Sequence, residues 1–265
     1  MSHTEITNDA AVIDNVQSDS QFITRLCLLA GKIIMESGGE TQRVEDTMMR
    51  IAAAYGHTHS HSYVTPTGIL FAIDGSTHAT RLVRISERNN NLTKVALVND
   101  VSRQIAAGKL HADQAYEKMQ SIDLERSEYP NWLTTLAAAI ASGSFLFLVG
   151  GTWTDLLPIL MIGGSGFYCF IWLHSYIKIK FFAEFVAALL IGTLAIVTTD
   201  YGLATNLDTI IIGSVIPLVP GLNITNAVRD LMAGHLVSGL SKGAESLLTA
   251  TAIGAGIAAI LTLYS

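Results

Sequence analysis

Between Trp132 and Ser265 the chain holds five apolar stretches that charge hardly interrupts, and this pattern constrains the fold more than any other feature. A hydrocarbon core about 30 Å thick takes roughly 20 apolar residues of helix to cross. The stretches run Trp132–Val149, Leu156–Leu173, Phe182–Thr198, Asp208–Leu222 and Ala244–Leu263. The fourth is short and ends in Pro217-Leu218-Val219-Pro220-Gly221. The linkers between them leave no room for a soluble domain. Before Trp132 the chain has 28 charged residues and after it only 10, so the main boundary falls at Tyr129-Pro130-Asn131.

Basic residues orient such a bundle. They occur before the first stretch (Arg126), in the turn after the second (Lys178, Lys180) and in the connection after the fourth (Arg229, Lys242). The turns Gly150–Asp155 and Asp200–Leu207 have none. This alternation fits five spans in the cytoplasmic (inner) membrane, with the N-terminus cytoplasmic and the C-terminus external. Tyr129, Trp132, Trp153, Trp172, Tyr176, Tyr201 and Tyr264 fall at the span ends, where amphipathic rings anchor at the lipid interface. Asp155, Asp200 and Asp208 are expected in water on the external side.

The first half reads differently. Residues 1–20 are acidic and polar, with no signal-peptide pattern, and suit a disordered tail. Residues 21–128 predict a cytoplasmic α+β domain. Phe22, Leu26, Leu29, Ile33 and Ile34 recur at helical spacing up to Gly38-Gly39. A second helix follows, with Thr41 as its candidate N-cap, a Val44/Met48/Ile51/Tyr55 stripe and Gly56 at its end. His59–Thr65, Gly68–Ile73 and Ala79–Ser86 alternate as an antiparallel meander. Helices over Leu92–Ala107 and Ala112–Ser121 complete the domain. Residues 129–265 form the transmembrane part, so the fold class is a membrane all-α bundle of about five helices behind a small α+β domain.

Few motifs carry chemistry. The net charge of −6, with no Lys/Arg cluster, excludes a nucleic-acid partner. Cys27 and Cys169 lie in different halves, which speaks against a disulfide or a CxxC site. No catalytic or cofactor signature occurs, so neither an enzyme activity nor a cofactor is expected. His57, His59 and His61 alternate, and on a strand they would share a face able to hold Zn²⁺, with Asp74 and His78 joining only through the fold. That pattern supports the alternative of a membrane-anchored, metal-dependent enzyme.

The segment Ile216–Ser246 is more informative. Pro217 and Pro220 interrupt the fourth span, Gly221 adds freedom, and Asn223 is placed to cap the next helix. If the segment re-enters the membrane, Asn223, Thr225, Asn226 and Arg229 become polar groups for a carboxylate substrate, with Arg229 its bidentate partner. If the span simply ends at Pro220, the same residues lie on a cytoplasmic surface helix. Glu184, just inside the third span, is the candidate proton carrier.

Two blocks carry a resemblance. SGGETQRVEDTMMRIAAAYG (Ser37–Gly56), followed by YVTPTGILFAI, and VPGLNITNAVRDLMAGHLVSGLSKGAESLL (Val219–Leu248) resemble the signatures of the threonine/serine exporter family. The likeness runs from about Phe22 to the end and is greatest to the large subunit of the family's split form. It implies a hetero-oligomeric secondary exporter of threonine, serine or a dicarboxylate such as succinate. A small membrane subunit would supply the second half.

Overall fold

The computed structural model describes residues 3–74, 80–125, 129–177, 179 and 181–264, with side chains from Asp19 onward. His78, Arg126, Lys178 and Lys180, all used above, lie outside the described residues. The chain divides into two compact units. One holds Met1–Arg126 and Leu222–Gly243; the other holds Ser127–Gly221 and Ala244–Ser265. The second stretch of the first unit is unexpected, because it takes most of the Ile216–Ser246 segment out of the apolar half.

The first unit begins with α1 (His3–Glu36), longer than the helix expected from Ser20, and α2 (Thr41–Ala54). Strands β1 (Ser60–Thr65), β2 (Gly68–Ile73) and β3 (Arg81–Arg84) pair antiparallel in the order β1-β2-β3, the meander that the alternation predicts. Pro66 and Thr67 make the first turn, so Val64 faces Ile69 and Thr65 faces Gly68. Helices α3 (Leu92–Ala106) and α4 (Ala112–Leu124) follow, and Asn91 caps α3 by accepting the Lys94 N–H. Leu26, Ile33 and Ile34 of α1 bury against Val44, Met48 and Ile51 of α2, Phe71 of β2, Val98 of α3 and Met119 of α4. Gly31 lets α1 and α2 close up, since a Cβ there would stand 2.6 Å from Met48 Sδ. The unit also holds α9 (Gly221–Met232), apart from its first residue, and the start of α10 (Leu236–Tyr264).

The second unit is built from α5 (Asn131–Leu148), α6 (Leu156–Tyr176), α7 (Phe182–Asp200), α8 (Leu207–Val215) and the rest of α10. Among the described residues, four helices are long and apolar enough to cross a membrane: α5, Trp153–Tyr176 (α6 with its leading turn), α7 and α10. A fifth arises only if the bent pair Leu207–Leu218 and Gly221–Met232 counts as one span. The expected fourth span is therefore short and broken. Helix α8 has nine residues and passes into a single 3-10 turn, Ile216–Leu218. Pro217 cannot donate to a carbonyl one turn back, which ends the regular ladder there.

Glycines set the closest approaches in this unit. A Cβ on Gly163 of α6 would lie 2.1 Å from Ser142 Oγ of α5, and one on Gly166 2.4 Å from Ile191 of α7. A Cβ on Gly256 of α10 would lie 2.5 Å from the Phe185 carbonyl of α7. Ala250, Gly254 and Ala258, a small-residue stripe by spacing, are exposed; α10 buries Thr249, Ile253 and Gly256 instead. The seven aromatics at the span ends are all exposed, as interfacial anchors would be. Asp155 corrects an expectation: it is fully buried, not solvated. It accepts bonds from the Thr152 hydroxyl (2.7 Å), the Thr205 N–H (2.7 Å) and the Thr205 hydroxyl (2.6 Å), which tie two loops together.

Candidate functional site

Within the first unit the two sequence blocks interlock. Helix α1 ends in a reversal that only glycine fits. Gly38 has φ +82, and a Cβ on Gly39 would stand 2.3 Å from Ile34 Cγ2. The turn is pinned by Gly39 N–H to Ile34 O (2.9 Å) and by Asn89 N–H to Glu36 O (2.7 Å). It leaves the carbonyls of Gly38 and Gly39 and the first N–H groups of α2 without partners of their own, as any helix start does.

Those groups are satisfied from almost 200 residues away. Asn226 of α9 donates to Gly38 O at 2.9 Å. Asp230, one turn further, accepts the Thr41 N–H at 3.1 Å and the Thr41 hydroxyl at 2.8 Å. Lys242 of α10 donates at 2.8 Å to Asp230 Oδ2, the oxygen that also accepts the Thr41 hydroxyl, and lies 3.4 Å from Gly39 O. Asp230 and Lys242 are only 1% and 4% exposed at the side chain, so this is a buried ion pair. Thr41 is thus not the N-cap. It is the first helical residue after Glu40, and the carboxylate of Asp230 does the capping.

Helices α9 and α10 reach this position as a tight hairpin. Gly234 turns the chain at φ +88, and the His235 N–H returns to Asp230 O at 2.8 Å. A Cβ on Gly239 would meet Leu231 at 2.6 Å and Ala227 O at 3.0 Å, so glycine allows the close crossing. Ser238 donates to Val64 O at 3.1 Å, which joins α10 to β1. Glu45 of α2 accepts the Val64 N–H at 3.1 Å, and His235 stands 3.9 Å from its other oxygen. Burial pushes the Glu45 carboxyl above the usual range; His235 and the Val64 N–H pull it back only in part.

At the rim, Arg229 donates to Glu40, which Arg43 also approaches at 3.7 Å. Arg229 is 58% exposed at the side chain, unlike the sealed pair beneath it. Of the residues singled out for substrate, Asn226 and Arg229 are therefore engaged with the Gly38–Glu40 turn. Asn223 is half-buried and Thr225 exposed on α9. Because α9 starts at Gly221, Asn223 lies in its first turn and is not its cap. Pro217, Pro220 and Gly221 are counted with the second unit. Glu184 is half-buried in the first turn of α7, near the positive end of the helix dipole.

Among the described residues, no three His, Cys, Asp or Glu side chains gather as a metal site would require. His61 stands 3.4 Å from Asp74, both exposed, and His57 and His59 precede β1. Sequence reasoning missed Asp230 and the role of Lys242. The one available signal was an acid and a base 12 positions apart among the ten charged residues that follow Trp132.

A model of the family described as "Putative threonine/serine exporter" matches residues 25–264. The chain belongs to the threonine/serine exporter family. Its relatives include the "Probable succinate transporter subunit YjjP" of Escherichia coli, 27% identical over 249 residues, 91% of this chain and 94% of that protein. The protein of the same description from Klebsiella aerogenes is 26% identical over 252 residues, covering 94% and 96% of the two chains. The "Probable threonine/serine exporter" of Mycobacterium tuberculosis is 24% identical over 236 residues, 88% of this chain but 44% of that protein. No solved structure matches. The family and the apolar helices together make this a multi-pass membrane protein and a member of a transport family.

Proposed function

We propose that the chain is the large subunit of a two-component secondary exporter. It would carry threonine, serine or a dicarboxylate such as succinate out across the cytoplasmic membrane, with a small membrane subunit as partner. The observation that carries this reading is the pattern of coverage. The chain matches relatives described as subunits almost end to end, and under half of the Mycobacterium tuberculosis protein. The alternation of basic turns supports an N-terminal unit on the cytoplasmic side.

In this reading Asn226 and Arg229 meet the substrate, with Asn223, Thr225 and the Pro217/Pro220/Gly221 break beside them in sequence. The Glu40–Arg229 pair supplies the chemistry. A substrate carboxylate would take over the guanidinium fork that Glu40 now occupies, exchanging one charge-assisted pair for another. Glu184 is the proton carrier of the same scheme.

The test is efflux of labelled succinate and threonine from cells lacking their own exporters. The chain is expressed with and without the small subunit. Efflux of one substrate only with both chains present is the expected result. Arg229→Ala and Asn226→Ala should abolish it while both chains still insert. Normal efflux in both variants would end the site assignment, and no efflux with both chains inserted would end the transport reading.

A further inference from the structure

Helix α9 inverts the usual amphipathic arrangement. Asn226 and Asp230 are buried in the first unit, while Ile224, Val228 and Met232, at intervals of four, are exposed. The start of α10 repeats the pattern. Ser238 and Lys242 are buried, Leu236 and Leu240 stand outside, and Met232 and Leu240 are 82% and 65% exposed. Among the exposed residues from 221 to 243 only Thr225, Arg229 and Ser241 have polar side chains. The hydrogen bonds account for the inversion. Asn226, Asp230, Ser238 and Lys242 hold the hairpin to the Gly38–Thr41 turn and to β1, so they point inward and leave the aliphatic residues outside. We infer that the outer face of the α9–α10 hairpin is embedded in the bilayer, in the leaflet opposite Tyr264.

Three observations choose lipid as the occupant, beyond the rule that a contiguous exposed apolar face marks a protein or membrane contact. First, the hairpin is tethered to apolar helices at both ends. Val219 and Pro220 alone separate α9 from the 3-10 turn that ends α8, and α10 runs unbroken to Tyr264. The exposed face runs on as well. Leu236, Leu240, Ala244 and Leu247 follow at intervals of four, four and three, into the part of α10 counted with the second unit.

Second, the length of α10 sets the depth. Its 29 residues rise about 43 Å, against about 30 Å of hydrocarbon and about 40–45 Å with both headgroup layers. With Tyr264 in one headgroup layer, Leu240 falls about 36 Å away, near the far edge of the hydrocarbon, and Leu236 about 42 Å away, among the opposite headgroups. Gly234 then turns the chain at headgroup level. Leu231 packs at Gly239 and Ala227 at Gly243, so α9 deepens as it runs back toward Gly221, and Val228 lies deeper than Met232.

Third, the face lacks what a protein interface collects. Such interfaces enrich Tyr, Trp and Arg, whereas residues 221–243 contain no Phe, Tyr or Trp, and Arg229 is engaged with Glu40. Aliphatic side chains suit acyl chains. Thr225 and Arg229 each follow an apolar residue of the face and mark its polar edge, where a guanidinium reaches headgroup water over an apolar stem. The sealed Asp230–Lys242 pair keeps both charges off the lipid side. The first unit is thereby docked on the bilayer by its own hairpin.

Depth-dependent quenching tests this on the full chain in phosphatidylcholine/phosphatidylglycerol vesicles, with no partner and no transport. In a Cys169→Ala background, Val228→Cys, Met232→Cys and Leu240→Cys are labelled with bimane. Leu247→Cys serves as the lipid reference and the exposed Glu117→Cys of α4 as the water reference. The parent, with only the sealed Cys27, should take up no dye, and that protection verifies folding. All three hairpin labels should be quenched severalfold more than Glu117 by nitroxides on lipid chains, and severalfold less by iodide. Nitroxides near the headgroup should favour Met232 over Val228, and deeper ones should favour Leu247 over Leu240. Iodide quenching of Met232 and Leu240 equal to that of Glu117 would place the face in water and overturn the inference. Shielding from iodide and from lipid nitroxides alike, with Leu247 still quenched by lipid, would mean that protein covers the face and would overturn it too. Lipid nitroxides that fail to reach Leu247 would remove the span of α10 and the inference with it.

Discussion

Replacing Lys242 by methionine keeps the length of the side chain and removes the charge that faces Asp230. The carboxylate would stay 1% exposed, with Thr41 N–H and hydroxyl as its remaining donors. Breaking a buried pair from one side costs about 3–5 kcal/mol. For a unit of this size each kcal/mol moves the midpoint by about 2–4 °C, so a drop on the order of 10 °C is expected. Tryptophan emission cannot follow it, because Trp132, Trp153 and Trp172 all belong to the second unit. Cys27 can. It is fully buried in the first unit, with Sγ 3.4 Å from Met48 O, and burial keeps its thiol protonated and unreactive until that core opens. In a Cys169→Ala background, labelling of Cys27 by a thiol dye during heating reports this unit alone. Asp230→Asn retains an acceptor for the Thr41 N–H and should lose a similar amount. The double variant buries no charge, so it should recover at least about 1 kcal/mol relative to the sum of the singles. Additive losses within about 0.5 kcal/mol, or a Lys242→Met midpoint equal to that of the parent, would refute the buried pair.

The same thiol assay checks two further changes. Gly38→Ala should cost about 1–2 kcal/mol from its left-handed backbone and more from the 2.9 Å approach to Asn90 Oδ1, whereas Gly56→Ala, at φ +90 in open space, bears only the first cost. Glu45 has a raised folded pKa, so ionising it takes stability away as the pH climbs from about 4.3 through that folded value. Glu45→Gln keeps an acceptor for Val64 and should gain on the parent over that window; a difference that is flat or of opposite sign removes the argument. In the second unit, Ser142 Oγ is buried with no partner among the described residues, so Ser142→Ala should melt no lower than the parent by tryptophan emission.

Much of the architecture was legible from periodicity alone. Apolar length located α5, α6, α7 and α10, and β-branched alternation located the meander to within two residues at each described strand end. The errors share a physical origin. Thr41 has the chemistry of an N-cap, but the group that caps α2 is 189 residues away, and no local pattern announces it. Asp155 looked solvated because a carboxylate in a turn usually is; two threonine hydroxyls and a loop N–H make burial tolerable. The histidines alternate as a metal site would, yet a site needs ligands from other elements, and those are set by packing. Pro217 marked the break in the fourth span correctly, since a missing N–H is a local fact. That the next helix would join the N-terminal unit is a tertiary one.

The two signature blocks therefore divide by burial into residues with different kinds of importance. Gly38, Gly39, Asp230 and Lys242 have no freedom to exchange partners, because each alternative opens a sealed turn or strands a charge. Glu40 and Arg229 meet at the rim, where Arg229 is 58% exposed, and an exposed pair is worth only about 0–1 kcal/mol. Its loss should scarcely change the temperature at which Cys27 is released. A transport defect in Arg229→Ala with that temperature unchanged would belong to substrate handling. The same defect in Lys242→Met would follow from unfolding of the unit. Burial separates two causes that a survey of inactive variants would merge, and the thiol measurement tells them apart variant by variant.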